Sequence, residues 1–230
     1  MNDVVTIVEA PQSRQVAMDV GAAGARLLGC RSRTVTVGVR GSDAVVEVAR
    51  ATLADPHVDA LVLAGTPEGA PSWRIITEAT KPVFVVPTGS RSPSGGFRRV
   101  LLPLDGGPAA TAAAAAVVRR MAPDTVILAT HVFSEGTVPA FWDQAAHAGV
   151  AWGKEFVARN LPAAADLRLC RGDPAAEVVA QADECGADLL VLGWAQQLTG
   201  SRAKVVRRAL AGRVPVLLVG AVAGEQPGRS

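Results

Sequence analysis

The sequence predicts an α/β protein built from two open parallel sheets with helices on both faces. Three observations carry that expectation. Short runs of Val, Leu and Ile recur along the chain, Ala-rich stretches of helical length separate them, and the order of these blocks repeats in the two halves. A strand covered by helices on both sides is apolar on both faces, so such runs read as central parallel strands.

In chain order, the first strand is Val4–Val8 and the first helix Ser13–Leu28, with the Ser13 hydroxyl placed to accept a free backbone N–H at the helix start. Strands follow at Val35–Val39, Ala60–Leu63 and Val83–Val86. The segment from Thr88 to Gly96 is rich in Ser and Gly, contains Pro93 and has no apolar period, which marks a linker. Beyond it come strands Val100–Leu104, Val126–Ala129, Leu167–Leu169, Leu189–Leu192 and Val216–Val219, and a helix around Asp143–Asn160. Asp173-Pro174 places a capping carboxylate before a proline whose missing N–H is not needed in a first turn, and Gly186 suits the left-handed residue that ends that helix.

The two halves are copies. Arg40-Gly41-Ser42-Asp43 matches Arg171-Gly172-Asp173-Pro174, Asp59–Leu63 matches Asp188–Leu192, and Pro82–Val86 matches Pro215–Val219, all in the same order. Glu9 falls where Asp105 falls. The N-terminal copy lacks one strand–helix unit. The expected organisation is therefore a shortened domain of about four strands over residues 1–88, a linker at 89–97, a five-stranded domain over 98–222, and a flexible tail at 223–230.

The 230 residues are 49% hydrophobic with a net charge of +2, and mean hydropathy is +0.27. No apolar stretch approaches the roughly 20 residues of a membrane span, so the hydrophobicity is expected to fold into two adjoining cores. The balanced charge gives no argument for a nucleic-acid or membrane partner. Cys30, Cys170 and Cys185 have neither disulfide nor zinc spacing, and the N-terminus shows no export signal, so a reducing, cytoplasmic setting is expected.

Signatures of hydrolases, dinucleotide enzymes, P-loop proteins and zinc proteases are absent, and His57, His131 and His147 have no metal-ligand spacing. No metal is expected and no catalytic set can be assembled; a slow phosphohydrolase would have only Asp105 and His131 to draw on. The remaining chemistry is phosphate binding beyond the carboxyl ends of the strands. Asp105-Gly106-Gly107, His131-Val132 and the segment from Gly193 to Ser201 would converge there. Gly200-Ser201 opens a helix whose N-terminus offers N–H donors, with Arg202 and Lys204 adding positive charge. Ser201 is also an adequate cap without any ligand, and the basic residues also read as a solvated helix face.

Residues 97–221 resemble the universal stress protein family through Arg99–Gly106, His131-Val132, Gly172-Asp173-Pro174, Ala187–Gly193 and Val214–Val219. The N-terminal half resembles it through Val58–Leu63 and Lys81–Val86, as a degenerate copy in a tandem protein. The resemblance implies two Rossmann-like sheets (adenine nucleotide alpha hydrolase-like) that pair through their last strands, Pro82–Val86 and Pro215–Val219. A homodimer of the whole chain is a further assembly it allows. It implies a stress-response module, not an enzyme, binding ATP or another adenine nucleotide, with Asp105 and Val132 around the adenosine and Gly193 as the first loop glycine; Gly106, Gly200, Ser201, Arg202 and Lys204 complete the candidate set from the strand-end and helix-start reading. This chain departs from the family's ATP loop: Gln196 stands at the second glycine position, and Gly200-Ser201 arrives six residues early. A protein of the same fold that has lost the phosphate loop, acting by structure or interaction, is the alternative.

Overall fold

A computed structural model of the chain describes residues 1–8, 11–38, 42–65, 71–134, 136–138, 146–161, 165–194 and 200–220. The N-terminal half supplies β1 (Asp3–Val8), α1 (Pro11–Leu28), β2 (Arg31–Thr36), α2 (Ser42–Ala54), β3 (Val58–Gly65), α3 (Pro71–Glu78) and β4 (Val83–Pro87). The C-terminal half supplies β5 (Arg99–Pro103), α4 (Pro108–Val118), β6 (Val126–Phe133), α5 (Ala146–Asn160), β7 (Asp166–Arg171), α6 (Pro174–Glu184), β8 (Leu189–Trp194), α7 (Gly200–Leu210) and β9 (Val216–Gly220).

The two expected parallel sheets are merged into one through their last strands. The strands form one nine-stranded mixed sheet in the order β2-β1-β3-β4-β9-β8-β5-β6-β7. Within each half the pairing is parallel, and β4 meets β9 antiparallel, with Val83 opposite Leu218 and Val85 opposite Val216. The physical reason is the cost of an unpaired edge. Each half would otherwise end in a strand whose apolar faces are covered but whose N–H and C=O groups have no partner. Joining those two edges satisfies both.

The cores are merged in the same way. Each crosses the join between the halves on one face of the sheet. One packs α1, α4 and α5 over Val4, Val62, Phe84, Val100, Val191 and Leu217. The other packs α2, α3, α6 and α7 over Val5, Leu61, Val83, Leu101, Leu190 and Val216. The alternation follows from the two-residue period of a strand. The segment 89–97 is docked: Phe97 is buried and stacks on Phe84 at 6.1 Å, and Ser92 donates to Asp19 at 2.6 Å.

Local differences from the sequence reading have simple causes. The second strand runs over Arg31–Thr36, ahead of the apolar run, because it is an edge strand and needs no buried face. Helix α1 starts at Pro11, so Ser13 lies inside it. Asp173 caps α6 by accepting from the Ala176 N–H at 2.9 Å, and Gly186 adopts a φ of 62° after that helix. Residues 223–230 fall outside the described residues. No helix among the described residues is long and apolar enough to cross a membrane.

A second tie between the halves lies at the amino ends of the strands. Asp59 of β3 accepts from Asn2 at 2.7 Å, from the Cys30 thiol at 3.4 Å, and from Arg120, which follows α4 in the other half. Burial pushes the Asp59 carboxyl up, but the hydrogen bonds from Asn2, Arg120 and Cys30 together outweigh it and hold it below the ordinary carboxylate value. Burial, and then the bond to Asp59, push the Cys30 thiol up to about 11, so it acts there as a donor and not as a nucleophile.

Two outcomes are expected. A Cβ at Gly21 of α1 would lie 2.0 Å from Oγ1 of the fully buried Thr6. Gly21→Ala should therefore lower stability in urea unfolding by about 1–3 kcal/mol, despite the better helix propensity of alanine. Because its native pKa is lowered, the stabilisation that Asp59 supplies is present above its unfolded value of about 3.9 and is lost as pH falls through the native one. Asp59→Asn should flatten that part of the acid unfolding curve, and an unchanged curve would show that Asp59 takes no part in it.

Candidate functional site

In the C-terminal half the chain moves from β5 outward through β6 to β7, then returns to the other side of β5 as β8. The strand order reverses between β5 and β8, and the carboxyl ends diverge there into a crevice. A cavity of about 460 Å³ occupies that point. Leu104 and Asp105 line it from the end of β5, His131, Val132 and Phe133 from β6, and Leu192 and Gly193 from β8. Thr111 of α4 closes one side, and Pro174 of α6 with Ser201 and Arg202 of α7 close the other.

The strand ends are fixed to one another. The Leu104 N–H donates to the Thr130 carbonyl at 2.8 Å, and His131 Nδ1 lies 2.7 Å from the Leu104 carbonyl. A carbonyl only accepts, so Nδ1 carries a proton and donates it. The His131 ring belongs to an aromatic group with Phe133, Trp152 and Phe156, at centroid distances of 4.5, 5.5 and 4.8 Å. Trp152 and Phe156 of α5 stack at 4.8 Å. This group backs the β6 wall of the cavity.

Charge enters at the mouth. Arg202 Nε donates to Asp105 Oδ2 at 2.7 Å, and Nη2 donates to the same oxygen. Asp105 Oδ1 accepts from the Gly107 N–H at 2.9 Å. Gly106 takes a φ of 78°, which turns the chain from β5 into α4. Thr111 is 7% exposed, and its hydroxyl has no partner among the described residues. Buried polar groups are nearly always paired, and this hydroxyl shares the exception with those of Thr6 and Thr125 elsewhere in the fold.

Of the residues singled out from sequence, Asp105, Val132, Gly193, Ser201 and Arg202 line this cavity. Gly106 adjoins a shallower hollow with Trp152 and Phe156, Gly200 opens α7 with a φ of 87°, and Lys204 is exposed on that helix. Helix α7 begins at Gly200, so Ser201 sits within its first turn. Gln196 and Glu9 lie outside the described residues. Trp194 is buried against Trp73, at 6.2 Å, away from the cavity lining. Sequence reasoning missed Thr111, Phe133 and the Asp105–Arg202 contact. Thr111 was legible only as one polar residue in the Ala-rich stretch 109–118. Among the described residues no cluster of three or more His, Cys, Asp or Glu could hold a metal.

The universal stress protein family model matches residues 96–219. A search of the curated proteins finds no match. Among solved structures, a universal stress protein from Archaeoglobus fulgidus DSM 4304 is 20% identical, with 86% of this chain and 72% of that one covered at a TM-score of 0.56. A protein of unknown function from Pseudomonas aeruginosa PAO1 is 14% identical, with 95% and 82% covered at a TM-score of 0.56. These structural likenesses concern the fold.

Thr111→Val removes the orphan hydroxyl at nearly constant volume. Without ligand it should leave stability unchanged or raise it by up to about 1 kcal/mol in urea unfolding. A loss of more than that would show that the hydroxyl is paired within the chain.

Proposed function

The chain belongs to the universal stress protein family, and on that premise we propose that it is a cytoplasmic stress-response module that works by binding, not turnover. Its C-terminal half takes an adenine nucleotide in the cavity at the switch point of the sheet, and its N-terminal half serves as the built-in pairing partner. One observation carries the reading: a cavity at the carboxyl ends of β5, β6 and β8 is lined by Thr111, whose buried hydroxyl has no partner among the described residues, and by Arg202. Its size lies within the range of small-molecule sites, and its lining mixes a mostly apolar wall with a few polar groups, as such sites do. Leu104, Val132 and Phe133 would cover a base; Thr111, Ser201 and Arg202 would meet an anionic group.

The second reading, a structural or interaction protein that has lost its ligand, is favoured by the engagement of both Asp105 oxygens within the chain. Calorimetric titration with ATP, ADP, AMP and cyclic AMP separates the two. Saturable heat from at least one nucleotide, weakened about tenfold in Thr111→Val by the loss of a hydrogen bond to a charged group, is the expected result. No heat at high micromolar protein with any of the four, and no nucleotide in the mass spectrum of the purified protein, would leave the second reading.

A further inference from the structure

Among the described lining residues of the cavity, the one acid–base pair of opposite charge is Asp105 and Arg202, and they reach it from different elements. Asp105 follows β5, and Arg202 stands in the first turn of α7. Each carboxylate oxygen already accepts: Oδ2 from two guanidinium nitrogens of Arg202, Oδ1 from the Gly107 N–H. The guanidinium passes close over the backbone, since a Cβ at Gly107 would lie 2.6 Å from Arg202 Nη2. Glycine is what lets the arm cross there.

We propose that Arg202 is the selectivity element of the cavity and that Asp105 restrains it. The ion pair holds the guanidinium until an anionic group replaces the carboxylate, so phosphorylated ligands gain a partner that neutral nucleosides do not, by a margin that the carboxylate reduces. The inference rests on the reading of the cavity as a nucleotide site and adds what that site selects. Its physical basis is an exchange of partners. The side chains of Arg202 and Asp105 are 31% and 49% exposed, so the pair is held weakly and the released carboxylate is rehydrated at little cost. A phosphate offers the guanidinium two oxygens and a larger charge. A neutral ribose or base offers no anion, and it meets a carboxylate whose oxygens are already engaged.

The sign of the effect at Asp105 decides the matter. If the carboxylate were a ligand contact, Asp105→Asn would weaken binding. If it restrains Arg202, Asp105→Asn should tighten AMP binding by about two- to fivefold and leave adenosine unchanged. Arg202→Gln should weaken AMP by about tenfold or more and also leave adenosine unchanged. Calorimetry on the full chain with AMP and adenosine gives these values; thermal melts confirm that each variant folds, and Asp105→Ser serves as a second test at that position. AMP binding that is equal or weaker in both Asp105 variants overturns the proposal while leaving the nucleotide reading intact. If neither compound binds any of the proteins, the nucleotide reading falls and inorganic phosphate decides the rest. In that case the Arg202 Nε–H resonance should shift at lower phosphate in Asp105→Asn than in the parent, and equal midpoints, or no shift, overturn the proposal.

Discussion

The antiparallel contact between β4 and β9 is the constraint from which the architecture follows. It turns two parallel units into a single sheet and places Val83, Phe84, Val85, Val216, Leu217 and Leu218 at its centre, all buried. A sheet paired across its middle has one surface on each side, so the helices of both halves pack into two cores that pass through the join. The strands left at the rims, β2 and β7, carry charge that discourages further pairing: Arg31 and Arg33 on one, Asp166, Arg168 and Arg171 on the other.

The shortened N-terminal copy shows how the same pattern is put to different use. By sequence, the block after β2 matches the block after β7; by position, β2 lies beside β1 where β6 lies beside β5. With one strand–helix unit fewer than the C-terminal half, the N-terminal half places its next strand inward by one position. The matching aspartates also diverge. Asp188 accepts from the N–H groups of Arg98 and Arg99 and fixes the start of β5 within its own half. Asp59 holds Asn2 at the start of β1 and reaches Arg120 across the join. One carboxylate position thus organises a strand end in both copies and ties the halves together in one.

Much of the fold was legible because its signals are local. The central strands are apolar on both faces, and eight of the nine expected strands overlap their observed spans closely; the exception, near Val35, is a rim strand, where apolar character carries little information. The site was legible in part for the same reason. Asp105, Val132, Gly193 and Ser201 stand at strand ends or a helix start that periodicity locates. Thr111 was not, because a threonine in an Ala-rich helix shows nothing of the cavity beside it. The Asp105–Arg202 contact was not, because the two residues are 97 positions apart.

The sequence by itself determined the α/β class, the two-copy organisation and the strand ends that open onto the cavity. Periodicity, capping residues and repeated blocks are properties of contiguous segments, and they survive without knowledge of their neighbours. The family resemblance implied that the last strands pair; only the tertiary structure decided that they do so antiparallel, that each core belongs to a face and not to a half, and that Asp105 is met by Arg202. Those depend on which edges find partners and which side chains converge from distant elements, and contacts of that kind leave no trace in local order.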